Sequence, residues 1–233
     1  GIITNSEIGV DDQRTTTLRN CEVSGAIVNA QNLVLEGTKG SLKSFNNLKQ
    51  LVLSKNSTIS DGGYPFNLKN CAVKCYDSTW NWPVSLADDN VTKHVEMLFV
   101  NSRITNTTLD IKDIDVQNSS IVNANINVYP YYEDGRFRYK LRIRDSFVNN
   151  ENPITFEIKD PQVKVTEADG YCQDIIFEQL SLLNNVFVGN TEGVKCTYWA
   201  VSDWRTLHIA EYVFNDSTVR HNINCNGNEG NIP

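Results

Sequence analysis

Asp113 and Asp115 are the pair best placed for chemistry. On an extended strand alternate side chains share one face, about 7 Å apart. That lies inside the roughly 5 to 9.5 Å separating the two carboxylates of a glycoside hydrolase. Two acids on one strand are also what a solvated outer face presents, and this is the plainer reading. The histidines, His94, His208 and His221, fall in no metal-binding spacing, and no Gly-x-Ser-x-Gly turn marks a nucleophile. Cys71-x3-Cys75 with His94 downstream lacks the second ligand pair of a structural zinc site, so neither metal nor cofactor is expected. Asp61-Gly62-Gly63 reads as a turn rather than a phosphate loop.

The aromatic residues form the more suggestive constellation. Trp80-Asn81-Trp82-Pro83, Tyr129-Pro130-Tyr131-Tyr132 and Tyr198-Trp199, with Trp204 between Asp203 and Arg205, set rings beside polar groups. Rings match the C–H faces of sugars, which makes Trp82, Tyr131, Tyr132, Asp203, Trp204 and Arg205 candidate binding residues. The competing reading is that these rings cover a core. Trp80 stands where Ile59 and Ile104 stand in neighbouring segments, so Trp80 is expected inside and Trp82 outside.

The elements that position these groups repeat along the chain. Leu18-Arg-Asn-Cys-Glu-Val-Ser returns as Leu48-Lys-Gln-Leu-Val-Leu-Ser, as Leu68-Lys-Asn-Cys-Ala-Val-Lys and as Ile111-Lys-Asp-Ile-Asp-Val-Gln. Small polar residues and then a β-branched or aromatic one follow each copy, as in Asn56-Ser57-Thr58-Ile59, Asp77-Ser78-Thr79-Trp80 and Asn118-Ser119-Ser120-Ile121. The pattern is strand, tight polar turn, strand. Eight steps from Val23 to Phe214 average about 24 residues, and two-residue alternation without a helical period predicts a solenoid of β coils.

Stacked one coil apart, the copies give two inward apolar columns, Cys21, Leu33, Leu51, Cys71, Met97 and Val23, Leu35, Leu53, Val73, Phe99, which continue into the later copies. Between them an outward column carries Val34, Val52, Ala72 and Leu98, four apolar residues in succession. Such a stripe calls for cover, either by a loop or the first 15 residues, or by a second subunit as in a trimeric fibre. A polar column of Asn20, Asn32, Gln50 and Asn70 predicts a carboxamide ladder between coils.

This pattern resembles the right-handed parallel β-helix, the pectate-lyase-like superfold also found in phage tailspikes and bacterial surface proteins. The resemblance covers Leu18 to Val219 and rests on the repeat alone, so it implies a fold and no particular function. It implies that any catalytic acids would stand on adjacent coils of one outer face. The Asn-Thr-Asp, Asp-Asp and Gly-His-Gly set of the polygalacturonases is not assembled, although Asp88-Asp89 is present, and the paired arginines and calcium aspartates of the pectate lyases are missing.

The chain has 233 residues, a net charge of −7, 40% hydrophobic and 21% charged residues. The acidic balance argues against nucleic acid as a partner, and no apolar run approaches the roughly 20 residues of a membrane helix. Asparagine is abundant at 29 residues, but the five glycosylation sequons, at Asn56, Asn90, Asn106, Asn118 and Asn215, are no real excess over the roughly four that random placement gives. The asparagines therefore point to turns, where the left-handed conformation is needed.

The expected architecture is all-β, a single-stranded parallel β-solenoid over residues 1–233. Residues 1–17 would form a cover or cap, 18–128 regular coils, 129–219 coils with inserted hairpins, and 220–233 a tail. One hairpin is expected around Glu133-Asp134-Gly135 and a second over Ile154 to Val165. The expected function is a non-catalytic extracellular, cell-surface or virion binding domain that presents loops to a glycan or receptor. A carbohydrate-active enzyme using Asp113 and Asp115, and a purely structural stalk, are the alternatives.

Overall fold

The computed structural model describes residues 1–9, 14–46, 48–60, 66–67, 71–85, 95–129, 131–133, 136–152, 154–159, 175–188, 194–199, 207–209, 212–214 and 223–226, not all of them with side chains. These residues form a parallel β-solenoid without a helix. Two sheets make its walls. The first stacks Ile2–Thr4, Glu22–Asn29, Lys39–Asn46, Thr58–Ser60, Thr79–Asn81, Arg103–Ile111, Ser120–Val128, Ile154–Lys159, Val194–Trp199 and Ile223–Asn226. The second stacks Thr15–Arg19, Asn32–Glu36, Gln50–Ser54, Cys71–Tyr76, Val95–Val100, Asp113–Gln117, Arg136–Arg144 and Ile175–Leu183, followed by Leu207–Ile209 and Tyr212–Phe214. The chain passes alternately from one wall to the other, so the parallel pairings within a wall join successive coils.

Alternation drives each strand into place. Gln50–Ser54 and Asn32–Glu36 both alternate half-buried and buried residues, with the leucines inside. Across the second sheet the inward columns are Thr16, Leu33, Leu51, Val73, Met97, Ile114, Leu141 and Leu18, Leu35, Leu53, Cys75, Phe99, Val116, Ile143. From Leu33 and Leu35 onward these residues are almost completely buried. On the first sheet Trp80 pairs with Ile59 and Ile104 as expected and lies inside. There it meets Phe99 edge-on at 6.4 Å and donates its indole N–H to the Trp82 carbonyl at 2.6 Å.

Two copies of the repeat sit in a different register from the one expected. In the first, Leu18 and Val23 straddle a corner and belong to different sheets, so Leu18 rather than Val23 stands under Leu35. In the fourth, Val73 and Cys75 rather than Cys71 and Val73 continue the columns of Leu51 and Leu53. Cys71, Val73 and Cys75 are all buried, and a shift by two leaves every side chain on the same side, so alternation alone cannot fix this register. The carboxamide ladder changes with it. Asn32 and Gln50 are cross-strand neighbours, but Gln50 is followed by Ala72, Asn20 sits at a corner, and Asn70 lies outside the described residues.

The corner after the second sheet sets the register. Asn20, Gly37, Asn56, Asp77, Asn101, Asn118, Asp145 and Asn184 all have φ between 44° and 60°. They follow the last inward residue of their strands by two positions, or three at Asn56. Asparagine and aspartate enter this region more readily than other residues with a Cβ, because their short polar side chains bond locally. At Gly37 an added Cβ would lie 2.5 Å from Asn20 Oδ1. Five asparagines, Asn20, Asn56, Asn101, Asn118 and Asn184, therefore answer a corner requirement.

Residues 2–8 are strands of the first coil, lying in the plane of the first sheet, and do not fold across Val34 and Val52. The hairpin of Tyr131–Glu133 with Arg136–Arg144 is the antiparallel pairing that Glu133-Asp134-Gly135 predicts. Ile154–Lys159 does not project from the stack but pairs in parallel with Ser120–Val128 and Val194–Trp199 as a rung, and Val163 to Val165, the other half of the expected second hairpin, lie outside the described residues.

A candidate binding groove at the solenoid corner

A ladder of buried hydroxyls, Thr38, Ser57, Ser78, Ser102, Ser119 and Ser146, stands one residue beyond six of the left-handed corner residues. The Ser102 backbone N–H donates to Ser119 Oγ at 2.9 Å, that of Ser119 to Ser146 Oγ at 3.2 Å, and that of Ser146 to Asn185 Oδ1 at 3.1 Å. Each hydroxyl donates in turn to the carbonyl two residues before it, at 2.8 Å from Ser102, 2.6 Å from Ser119 and 2.7 Å from Ser146. Thr38 and Ser57 make the same contact in an earlier coil, at 3.1 Å. The N–H at this one position is satisfied by a side chain of the next coil, while the residues on either side keep backbone bonds between coils.

Outside this ladder the corner opens into a groove of about 560 Å³ along the solenoid axis. One side is the column Lys39, Thr58, Thr79, Arg103, Ser120 of the first sheet, each residue paired with the next. The other side is the corner column Asn56, Asp77, Asn101, Asn118. The threonines and Ser120 are half-buried, whereas Lys39, Arg103 and the corner residues are exposed. The groove therefore presents hydroxyl and carboxamide groups at the roughly 4.8 Å spacing of the coils. Its sheet column continues past Ser120 into Phe147, 42% exposed, and Val186, 57% exposed. Around the corner Glu36 accepts from Lys55 Nζ at 2.7 Å and from Arg19 Nε at 3.0 Å, and these bonds hold its carboxyl below the usual glutamate range, Lys55 contributing most.

The expected acids are placed otherwise than a solvated or catalytic pair. Asp113 and Asp115 do share a face, but they are only 3% and 7% exposed. Asp113 pairs with Lys140 at 3.4 Å, and Asp115 with Arg142, while Gln117 Nε2 donates to Asp115 at 3.0 Å. The cations come from the next strand, Arg136–Arg144, which stands directly beside Asp113–Gln117. Neither carboxylate is open to a sugar.

The predicted binding residues are not brought together among the described residues. Trp82 is buried at 1% exposure, its ring 5.6 Å from Phe45 and 6.5 Å from Trp80, because residues two apart on an extended chain share a face. It is a core residue. Tyr131 and Tyr132 lie on the short hairpin strand opposite Arg138 and Phe137. Asp203, Trp204 and Arg205 fall outside the described residues.

The apolar stripe is interrupted. Lys74, not Ala72, pairs with Val52 and Leu98, and Ala72 stands in the neighbouring column between Gln50 and Glu96. Val34, Val52 and Leu98 are half-buried, the ordinary state of side chains flanked on a continuous sheet. Cys71 and Cys75 are buried free thiols, Cys71 pushed up to about 12 and Cys75 higher still by burial, and Cys21 is a half-buried free thiol. Among the described residues no group of three or more metal-binding side chains converges, and no helix is long and apolar enough to cross a membrane.

The groove was legible only in part. The segments Asn56-Ser57-Thr58, Asp77-Ser78-Thr79, Asn101-Ser102-Arg103 and Asn118-Ser119-Ser120 already give all but one of its lining residues, in order. Their third members form the sheet side, a column that becomes visible once the corners rather than the strands are aligned. No protein-family model, curated protein or solved structure matches the chain.

Proposed function

We propose that this chain is a non-catalytic binding domain, acting outside the cell on a cell surface or virion, which holds a glycan in the corner groove. The observation that carries the proposal is the repeated lining of Thr58, Thr79 and Ser120 against Asn56, Asn101 and Asn118. Hydroxyls and carboxamides both donate and accept, which suits sugar hydroxyls, and their one-coil spacing suits an extended chain lying along the axis. Phe147, next in the column, supplies an exposed ring for a sugar C–H face. A rigid scaffold with its corner backbone satisfied internally leaves these groups preorganised, which lowers the entropy cost of binding. The burial and ion pairing of Asp113 and Asp115 favour a binder over a hydrolase that would use them.

The test is a panel of soluble oligosaccharides titrated into the full chain and followed by calorimetry. The double variant Thr58→Val, Thr79→Val keeps side-chain shape and removes two groove hydroxyls. Saturable binding that falls about thirtyfold in this variant supports the proposal, taking each of the two hydrogen bonds at roughly 1 kcal/mol. Absence of binding across the panel, or equal binding by the variant, overturns it.

A further inference from the structure

We infer that the ligand of this groove carries two separated anionic groups, one met by Lys39 and one by Arg103, with an uncharged hydroxyl-bearing stretch between them. The inference rests on the glycan reading of the groove. Three charged residues line it: Lys39, Asp77 and Arg103. Lys39 pairs with Thr58, Thr58 with Thr79 and Thr79 with Arg103, so the two cations stand three coils apart, about 14 Å between backbones. Both are exposed and neither forms an ion pair among the described residues, although Glu22 is the neighbour of Lys39 in the column. The cations around the corner behave differently, since Arg19 and Lys55 are both committed to Glu36. Lys39 and Arg103 thus keep their donors for a ligand, Arg103 as a planar fork suited to a carboxylate.

Asp77 decides the spacing. It is the corner residue of the Thr79 coil and lies between the two cations along the axis. An anion bound opposite the middle of the groove would face this carboxylate, and like charges brought together disfavour the wrong ligand. Neutral sugar hydroxyls at that level find Thr58, Thr79 and Asp77 as partners instead. The groove therefore selects sparse negative charge and discriminates against dense negative charge, a selectivity that the net charge of −7 reinforces at long range.

The experiment compares three octasaccharides on the full chain: maltooctaose, which is neutral; heparosan, with a carboxylate on every second sugar; and oligomannuronate, with one on every sugar. Heparosan is expected to bind best, with a preference over maltooctaose of about tenfold at low salt that shrinks at 0.5 M NaCl. Lys39→Gln and Arg103→Gln should each remove about threefold of that preference, lowering heparosan affinity more than maltooctaose affinity. Asp77→Asn should raise oligomannuronate affinity selectively. Equal binding of heparosan and maltooctaose by the wild-type chain overturns the inference and leaves the glycan reading standing. Tightest binding by oligomannuronate, insensitive to Asp77→Asn, also overturns it. Binding by none of the three, nor by any other member of the panel, overturns both.

Discussion

The Asn118 carboxamide donates to the carboxamide oxygen of Asn101, its counterpart one coil earlier, at 2.7 Å, and both residues are left-handed, with φ of 44° and 50°. Two demands meet at each corner: a backbone conformation that most residues resist, and a side chain that can reach the next coil. Asn101→Gly is expected to keep stability within a few tenths of a kcal/mol, because glycine supplies the conformation. Asn101→Val is expected to cost about 2 kcal/mol, because a β-branched residue resists it. Urea midpoints at constant slope measure the difference.

Ser102 lies in the buried ladder, accepting the Ser78 N–H at 3.3 Å and donating to the Val100 carbonyl at 2.8 Å. Ser102→Ala strands a buried donor and is expected to cost about 1–3 kcal/mol. Ser120→Ala, at the half-buried rim of the groove, is expected to stay within about 0.5 kcal/mol. Equal losses in thermal unfolding would show that the ladder adds nothing to stability.

Asp115 and Arg142 form a pair on adjacent coils, with the carboxylate buried. Asp115→Leu alone is expected to cost about 3–5 kcal/mol, since it leaves the guanidinium poorly solvated, and adding Arg142→Leu should recover most of that loss. A double-mutant cycle in urea checks this, and additive losses would rule out a direct coupling.

Trp82 and Phe147 separate core from site. Trp82→Ala is expected to destabilise by about 3–5 kcal/mol and to leave the glycan affinity of the folded fraction unchanged. Phe147→Ala is expected to keep stability within about 0.5 kcal/mol and to weaken glycan binding. Calorimetric titration and thermal unfolding on the same two variants give the crossed comparison.

Glu36 is held below the ordinary glutamate range by its bonds from Lys55 and Arg19. A carboxyl whose folded value is depressed stabilises the native state above its unfolded value, and loses that contribution as pH falls through the folded value. The Glu36 side-chain carboxyl signal should therefore titrate below an unfolded-peptide glutamate in NMR, and Lys55→Met should move the midpoint up by more than Arg19→Met. A midpoint that neither substitution moves would mean the bonds are not held in solution.

The amino-acid sequence determined the class of fold and its inside. Strand alternation at Leu33, Leu35, Leu51 and Leu53 compels an apolar lumen, and the recurrent asparagine or aspartate before a serine marks corners, because few other residues accept the left-handed turn. Tertiary structure decided the register between coils. An apolar-x-apolar strand fits its neighbour equally well after a two-residue slip, so Lys74 rather than Ala72 entered the outer stripe only when the corner at Asp77 stacked on those of its neighbouring coils. The same stacking put Lys140 and Arg142 beside Asp113 and Asp115, turning two acids with the spacing of a catalytic pair into buried ion pairs. The groove arises in this way too: Lys39, Thr58, Thr79 and Arg103 are successively 19 to 24 residues apart along the chain, and become neighbours because each coil returns to the same corner.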